Sequence, residues 1–221
     1  MRTLHHHWLS PASRAARFAL AEKGLEFEAA PEKPWERRDE FLALDPSGDV
    51  PVLVDADGAV VAGGALLEYL DERYPEVPLI YGGIAQRAEI RRLVHWFEAK
   101  FEREVTACLV GEKAWRRLSG QGHPHPELIR AGLANIHYHL DYIAWLADRR
   151  KWIAGDMISA ADIVAAGHIS AIDYLGDVPW DEHPDAKVWY ARIKSRPAFR
   201  ALLGDAVPGM PPPVHYADPD F

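Results

Sequence analysis

Residues 50–70 read Val-Pro-Val-Leu-Val-Asp-Ala-Asp-Gly-Ala-Val-Val-Ala-Gly-Gly-Ala-Leu-Leu-Glu-Tyr-Leu. Two valine-rich runs, residues 50–54 and 59–61, flank Asp55-Ala56-Asp57-Gly58. Such runs around a turn ending in Asp-Gly predict two antiparallel strands in a hairpin. A cis peptide suits a tight turn at Val50-Pro51, because proline lowers the cost of the cis form. Gly63 and Gly64 interrupt the strand pattern, and residues 65–74 then predict a helix stopped by Pro75.

Outward from this segment, residues 2–7 predict a short strand closed by Ser10-Pro11. A helix over 13–23 follows, ended by Gly24, and a second strand over 25–30. Residues 31–46 form a polar loop with a short helical piece over 39–43. The order βαβ, loop, ββα makes a parallel unit followed by an antiparallel edge, the thioredoxin-like pattern. Beyond it the strand signals vanish. Ile90, Leu93, Val94, Phe97, Phe101, Val105 and Leu109 recur at helical spacing, as do Ile129, Leu133, Ile136, Leu140 and Ile143. Ser159 and Asp162 make a capping box, with Ile158 and Ile163 as its hydrophobic staple. A last helix over 184–196 restarts at Pro197-Ala198-Phe199. The expected division is α/β plus all-α: a thioredoxin-like domain at 1–76, a linker at 77–83, an all-helical domain at 84–204, and an extended proline-rich tail at 205–221.

The chain has 221 residues, 48% hydrophobic and 26% charged, with a formal net charge of -8, which suits a soluble globular protein. The negative charge disfavours non-specific binding to nucleic acid or to anionic membrane. Cys108 is the single cysteine, so no internal disulfide is expected, which fits a reducing cytosol. The first twenty residues lack a signal-peptide core and no run is long enough to span a bilayer, so a cytoplasmic protein without membrane insertion is expected.

Five segments together resemble the glutathione-transferase superfamily. They are Ser10-Pro11-x-Ser13-Arg14-x-x-Arg17, Val50-Pro51-Val52-Leu53, Leu67-Glu68-Tyr69-Leu70-x-x-Arg73-Tyr74-Pro75, Ser159-x-x-Asp162-Ile163 and Arg196-Pro197-Ala198-Phe199. The resemblance implies the two-domain transferase fold, a cis bond before Pro51, a backbone contact from Val50 to the cysteinyl part of glutathione, and Ser10 at the position of a thiol-activating serine. Helix capping is the alternative role for Ser10. The family also places an acidic residue and a serine just before the helix at 65–74 to hold the γ-glutamyl end. Here Ala62 and Gly63 stand there. Each charge-assisted hydrogen bond contributes about 1.5–3 kcal/mol, so losing two weakens binding about a hundredfold or more. A non-enzymatic protein with no cofactor is therefore expected. A transferase using Ser10 with an altered grip is the alternative.

Within that superfamily the chain resembles the transferase-like bacterial division proteins that bind the tubulin homologue FtsZ. The resemblance rests on Trp35 in a charged loop and on the ending Tyr216-Ala217-Asp218-Pro219-Asp220-Phe221. It implies a cytoplasmic homodimer at the division site that binds FtsZ filaments, curves or bundles them, and links them to septal wall synthesis. Trp35, Glu112, Arg130, Tyr216, Asp218, Pro219, Asp220 and Phe221 are the expected partner contacts. Pro211-Pro212-Pro213 favours an extended segment, which carries the ending either away from the helical domain or back across it. The histidine groups His5-His6-His7, His123/His125 and His137/His139 supply too few ligands on one face for a metal.

Overall fold

The computed structural model describes residues 1–219; Asp220 and Phe221 of the expected partner set lie outside the described residues. The N-terminal part is built on a four-stranded sheet of order β2-β1-β3-β4. Strand β1 (Thr3–His6) pairs in parallel with β2 (Glu28–Pro31) and antiparallel with β3 (Val52–Val54), which pairs antiparallel with β4 (Val60–Ala62). Leu4 faces Leu53 across the β1–β3 ladder, and both are buried. Helix α1 (Pro11–Glu22) connects β1 to β2, a short α2 (Asp39–Leu42) lies in the loop, and α3 (Ala65–Arg73) follows the hairpin.

The second strand starts three residues later than expected, at Glu28. The reason is the end of α1. Gly24 takes a left-handed φ of 67°, the Leu25 amide reaches back to Leu20 O at 2.9 Å, and the Gly24 amide bonds Ala21 O at 3.0 Å. This paired C-cap uses Leu25 to close the helix, so it is not free to begin the strand.

The rest is helical, as expected. Helix α4 begins at Ile84–His95, continues through Trp96–Trp115 with π-type hydrogen bonding, and ends in the turn Arg116–Leu118. Helix α5 (Pro126–Arg149) returns beside it; a Cβ at Gly132 would lie 2.8 Å from the Cys108 Cβ, which shows how closely the two approach. Helix α6 (Ala160–Tyr174) is buried along its whole length. At its start Asp162 accepts from the Ser159 amide and hydroxyl, the Ile153 amide and the Trp189 indole. Helices α7 (Pro184–Lys194) and α8 (Pro197–Leu203) complete this half. Helix α1 packs on α6 so closely that a Cβ at Gly167 would stand 2.5 Å from Pro11 O. One hydrophobic core runs through both halves, from Leu4 and Phe18 to Ile169 and Trp189. Among the described residues no helix is long and apolar enough to cross a membrane.

As far as Pro219 the tail does not extend away. Val207 and Met210 form a bridge, and Val214–Ala217 makes a single 3-10 turn that lies back on the helical half.

Candidate functional site

A cleft of ≈ 410 Å³ opens between the sheet half and the long helix α4. On one side it is formed by Ser10, Pro11 and Ala12 at the start of α1, by Pro34, and by Asp49 and Val50. Facing them are Glu98, Glu102 and Trp115 of α4 and His168 of α6.

The Val50-Pro51 peptide is cis, as expected. Ser10 is the N-cap of α1: its Oγ accepts from the Ser13 amide at 3.2 Å, and its hydroxyl donates to Val50 O over a long 3.4 Å. The capping role is thus realised, and the hydroxyl sits beside the backbone that a thiol ligand would meet. Ala62 ends β4, and Gly63 turns the chain with a φ of 59°, its amide bonded to Pro51 O at 3.2 Å. Gly64 caps α3 without any side-chain hydrogen bond. The space a side chain would fill at Gly64 is bordered by a carboxylate from the other half: Glu98 Oε1 lies 3.3 Å from an added Cβ. An anionic ligand end arriving at the α3 N-terminus therefore meets a negative charge.

The neighbouring histidines supply no counter-charge. Burial lowers the pKa of His6 and His7 to about 4 and that of His168 to about 3, so all three rings are neutral at pH 7. Glu98 and Glu102 reach the solvent at the mouth of the cleft, and desolvation by its walls pushes both carboxyls above the usual range. Among the described residues no lysine or arginine lines the cleft.

The expected partner residues fall into three groups. Trp35 is half-buried and packs edge-on to His7 (5.4 Å between centroids) and to the cleft residue Trp115 (5.7 Å). Arg130 and Asp218 are exposed, and Pro219 is half-exposed. Glu112 and Tyr216 do not present themselves to a partner. Glu112 is buried; it accepts from the His125 amide at 2.8 Å and pairs with Arg116 at 3.0 Å, so it clamps the loop between α4 and α5. Tyr216 is fully buried, because its hydroxyl reaches Arg14 and Leu202 O inside the protein. Among the described residues no group of three or more histidine, cysteine or acidic side chains is placed to hold a metal ion.

Sequence reasoning missed Glu98, Glu102, Trp115 and His168. One signal was available: Glu98 and Glu102 are like charges one helical turn apart, an arrangement that is unfavourable in a solvated helix.

The family description "Glutathione S-transferase, N-terminal domain" matches residues 9–73, and "Glutathione S-transferase, C-terminal domain" matches 138–197. The FtsZ-localized protein A of Caulobacter vibrioides is 46% identical, over 100% of this chain and 98% of that protein. A solved glutathione S-transferase from Rhodospirillum rubrum F11 is 58% identical with a TM-score of 0.98, covering 100% of both chains. The solved FzlA from C. crescentus is 46% identical with a TM-score of 0.96, covering 100% of this chain and 99% of that one.

Proposed function

Because the chain belongs to the glutathione S-transferase family, we propose that it uses the family's frame as a division adaptor instead of a catalyst. In this reading it is a cytoplasmic homodimer that binds FtsZ filaments at the division site, curves or bundles them, and links them to septal wall synthesis. A two-fold dimer carries two identical binding surfaces, which is a direct way to bridge filaments. The observation that carries the reading is the full-length likeness to a protein named for its localisation with FtsZ. The cleft supports its non-enzymatic half: Ala62, Gly63 and Gly64 offer no side-chain donor to glutathione, and Glu98 faces the helix start where an anion would sit. Trp35, Arg130, Asp218 and Pro219 are the proposed contacts on the described surface, with Asp220 and Phe221 beyond it. No cofactor is required.

Co-sedimentation tests this. The protein is expected to pellet with polymerised FtsZ at micromolar concentration, and removal of residues 218–221 to weaken pelleting. Absence of the full chain from the pellet overturns the adaptor reading.

A second reading is a glutathione-dependent transferase that uses Ser10. It is favoured by Ser10 lying beside the cis Val50-Pro51 turn and by the name given to the 58% identical relative. Retention on immobilised glutathione, together with turnover that Ser10→Ala abolishes while binding persists, would establish it.

A further inference from the structure

We propose that the cleft is a cation site that takes the ammonium or guanidinium end of an alkyl chain, supplied by a free polyamine or by a lysine or arginine of a partner protein. The site goes beyond the division reading and does not depend on it.

The pairing pattern of α4 is the first observation. This helix carries five glutamates. Glu89 is held by Arg92 and Arg150, Glu104 by Lys100, and Glu112 by Arg116. Glu98 and Glu102 are the exceptions: among the described residues neither has a lysine or arginine partner. They sit one turn apart on the face that borders the cleft, where like charges repel. A helix whose glutamates are paired elsewhere and lack a lysine or arginine only along a cavity shows the local conflict expected at a functional site.

The cavity itself is the second. Among the described residues no lysine or arginine lines it, and Asp49 adds a third carboxylate. Its wall includes the Trp115 indole, with Trp35 packed against it, and an indole face attracts an ammonium or guanidinium group. Val50, whose carbonyl accepts from the Ser10 hydroxyl, lies in the same wall.

His168 is the third. The residue is 5% exposed and lines the cleft. Its Nδ1 lies 2.9 Å from Thr106 Oγ1 and 3.6 Å from Glu102 Oε2. Its Nε2 has no hydrogen-bond partner among the described residues. With the proton on Nδ1 and directed to Thr106, Nε2 keeps a lone pair that accepts an N–H from a bound cation. Two carboxylates, a neutral imidazole and an aromatic wall form a receptor for an alkylamine, and they oppose an anionic tripeptide.

Calorimetric titration of the full chain with spermidine and, separately, with glutathione tests the proposal. Spermidine is expected to bind, and more tightly than glutathione. The double substitution Glu98→Gln/Glu102→Gln is expected to weaken spermidine about tenfold or more, since both lost contacts are charge-assisted. Glu26→Gln/Glu28→Gln removes the same charge from an exposed surface outside the cleft and is expected to change affinity less than about twofold. Equal spermidine affinity in wild type and in the Glu98/Glu102 variant overturns the site, as does tighter binding of glutathione than of spermidine. The source is read by adding spermidine to the FtsZ pelleting assay. Displacement from the filament supports a partner's lysine or arginine, undiminished pelleting supports a free amine, and both uphold the site. Failure of the wild type to pellet counts against the division reading alone.

Discussion

Arg14 and Tyr216 lie 202 residues apart in the chain and meet at 2.7 Å in the core. Arg14, fully buried on α1, also donates to Trp8 O at 2.6 Å and to Ser170 Oγ at 3.3 Å, and it lies 3.4 Å from Asp205. Tyr216 donates in turn to Leu202 O at 2.9 Å. The contact fastens the tail to the first helix of the sheet half and to α6 and α8 of the helical half.

Tyr216→Phe keeps the ring and removes the hydroxyl, leaving a buried guanidinium short of one acceptor. The expected loss is about 1–3 kcal/mol, seen as a lower urea midpoint with an unchanged slope. A midpoint equal to wild type means that the bond does not hold the tail.

Gly167→Ala tests the approach of α1 to α6. The added methyl meets Pro11 O at 2.5 Å and Ala15 N at 3.1 Å, and backbone atoms cannot step aside as a flexible side chain does. Alanine improves helix propensity by about 1 kcal/mol, yet overpacking costs about 1–3 kcal/mol, so a net destabilisation of up to about 2 kcal/mol is expected. Thermal melting decides it: a raised Tm contradicts the tight contact.

Ser10→Ala separates the two functional readings. Loss of the N-cap is expected to cost about 1 kcal/mol of stability while filament pelleting persists. Retained pelleting fits the adaptor. A glutathione-conjugating activity that the substitution abolishes fits the transferase.

Stability is expected to fall as the solution is acidified below neutrality. His168 titrates near 3 in the folded protein, and His6 and His7 near 4, against an ordinary 6.5. Their folded values are depressed, so below pH 6.5 the unfolded chain binds protons that the folded chain refuses. Their contribution is complete above about pH 6.5 and is lost as pH drops toward 4 for His6 and His7 and toward 3 for His168, by up to about 1.4 kcal/mol per pH unit for each ring. Urea midpoints between pH 7.5 and 5 measure it. A flat profile would show these rings to be solvated.

Much of the frame was readable because it is locally encoded. The hairpin follows from valine runs around Asp-Gly, the end of α3 from Pro75, and the start of α6 from Ser159 and Asp162, which are three residues apart and meet in the first turn. Ser10 was readable in the same way, since a cap bonds an amide three positions on. The cleft was not. Glu98 and Trp115 lie on one helix and His168 on another far along the chain, and apart from the like charges at Glu98 and Glu102 nothing near them in sequence marks the cavity they share. Glu112 and Tyr216 carry polar groups usual at surfaces; one is covered by the loop that delivers His125, the other by Arg14.

By itself the sequence determined the order of strands and helices, the turn at Pro51 and the lack of an acid and a hydroxyl at positions 62 and 63, because propensity, capping and residue identity act over a few neighbours. Only the tertiary structure decided that Glu98 confronts the start of α3, that His168 lines the same cleft and that the tail is fastened inward. Burial and charge proximity depend on which distant segments pack together, and those distances alone set which groups are neutral, which are paired and which face a ligand.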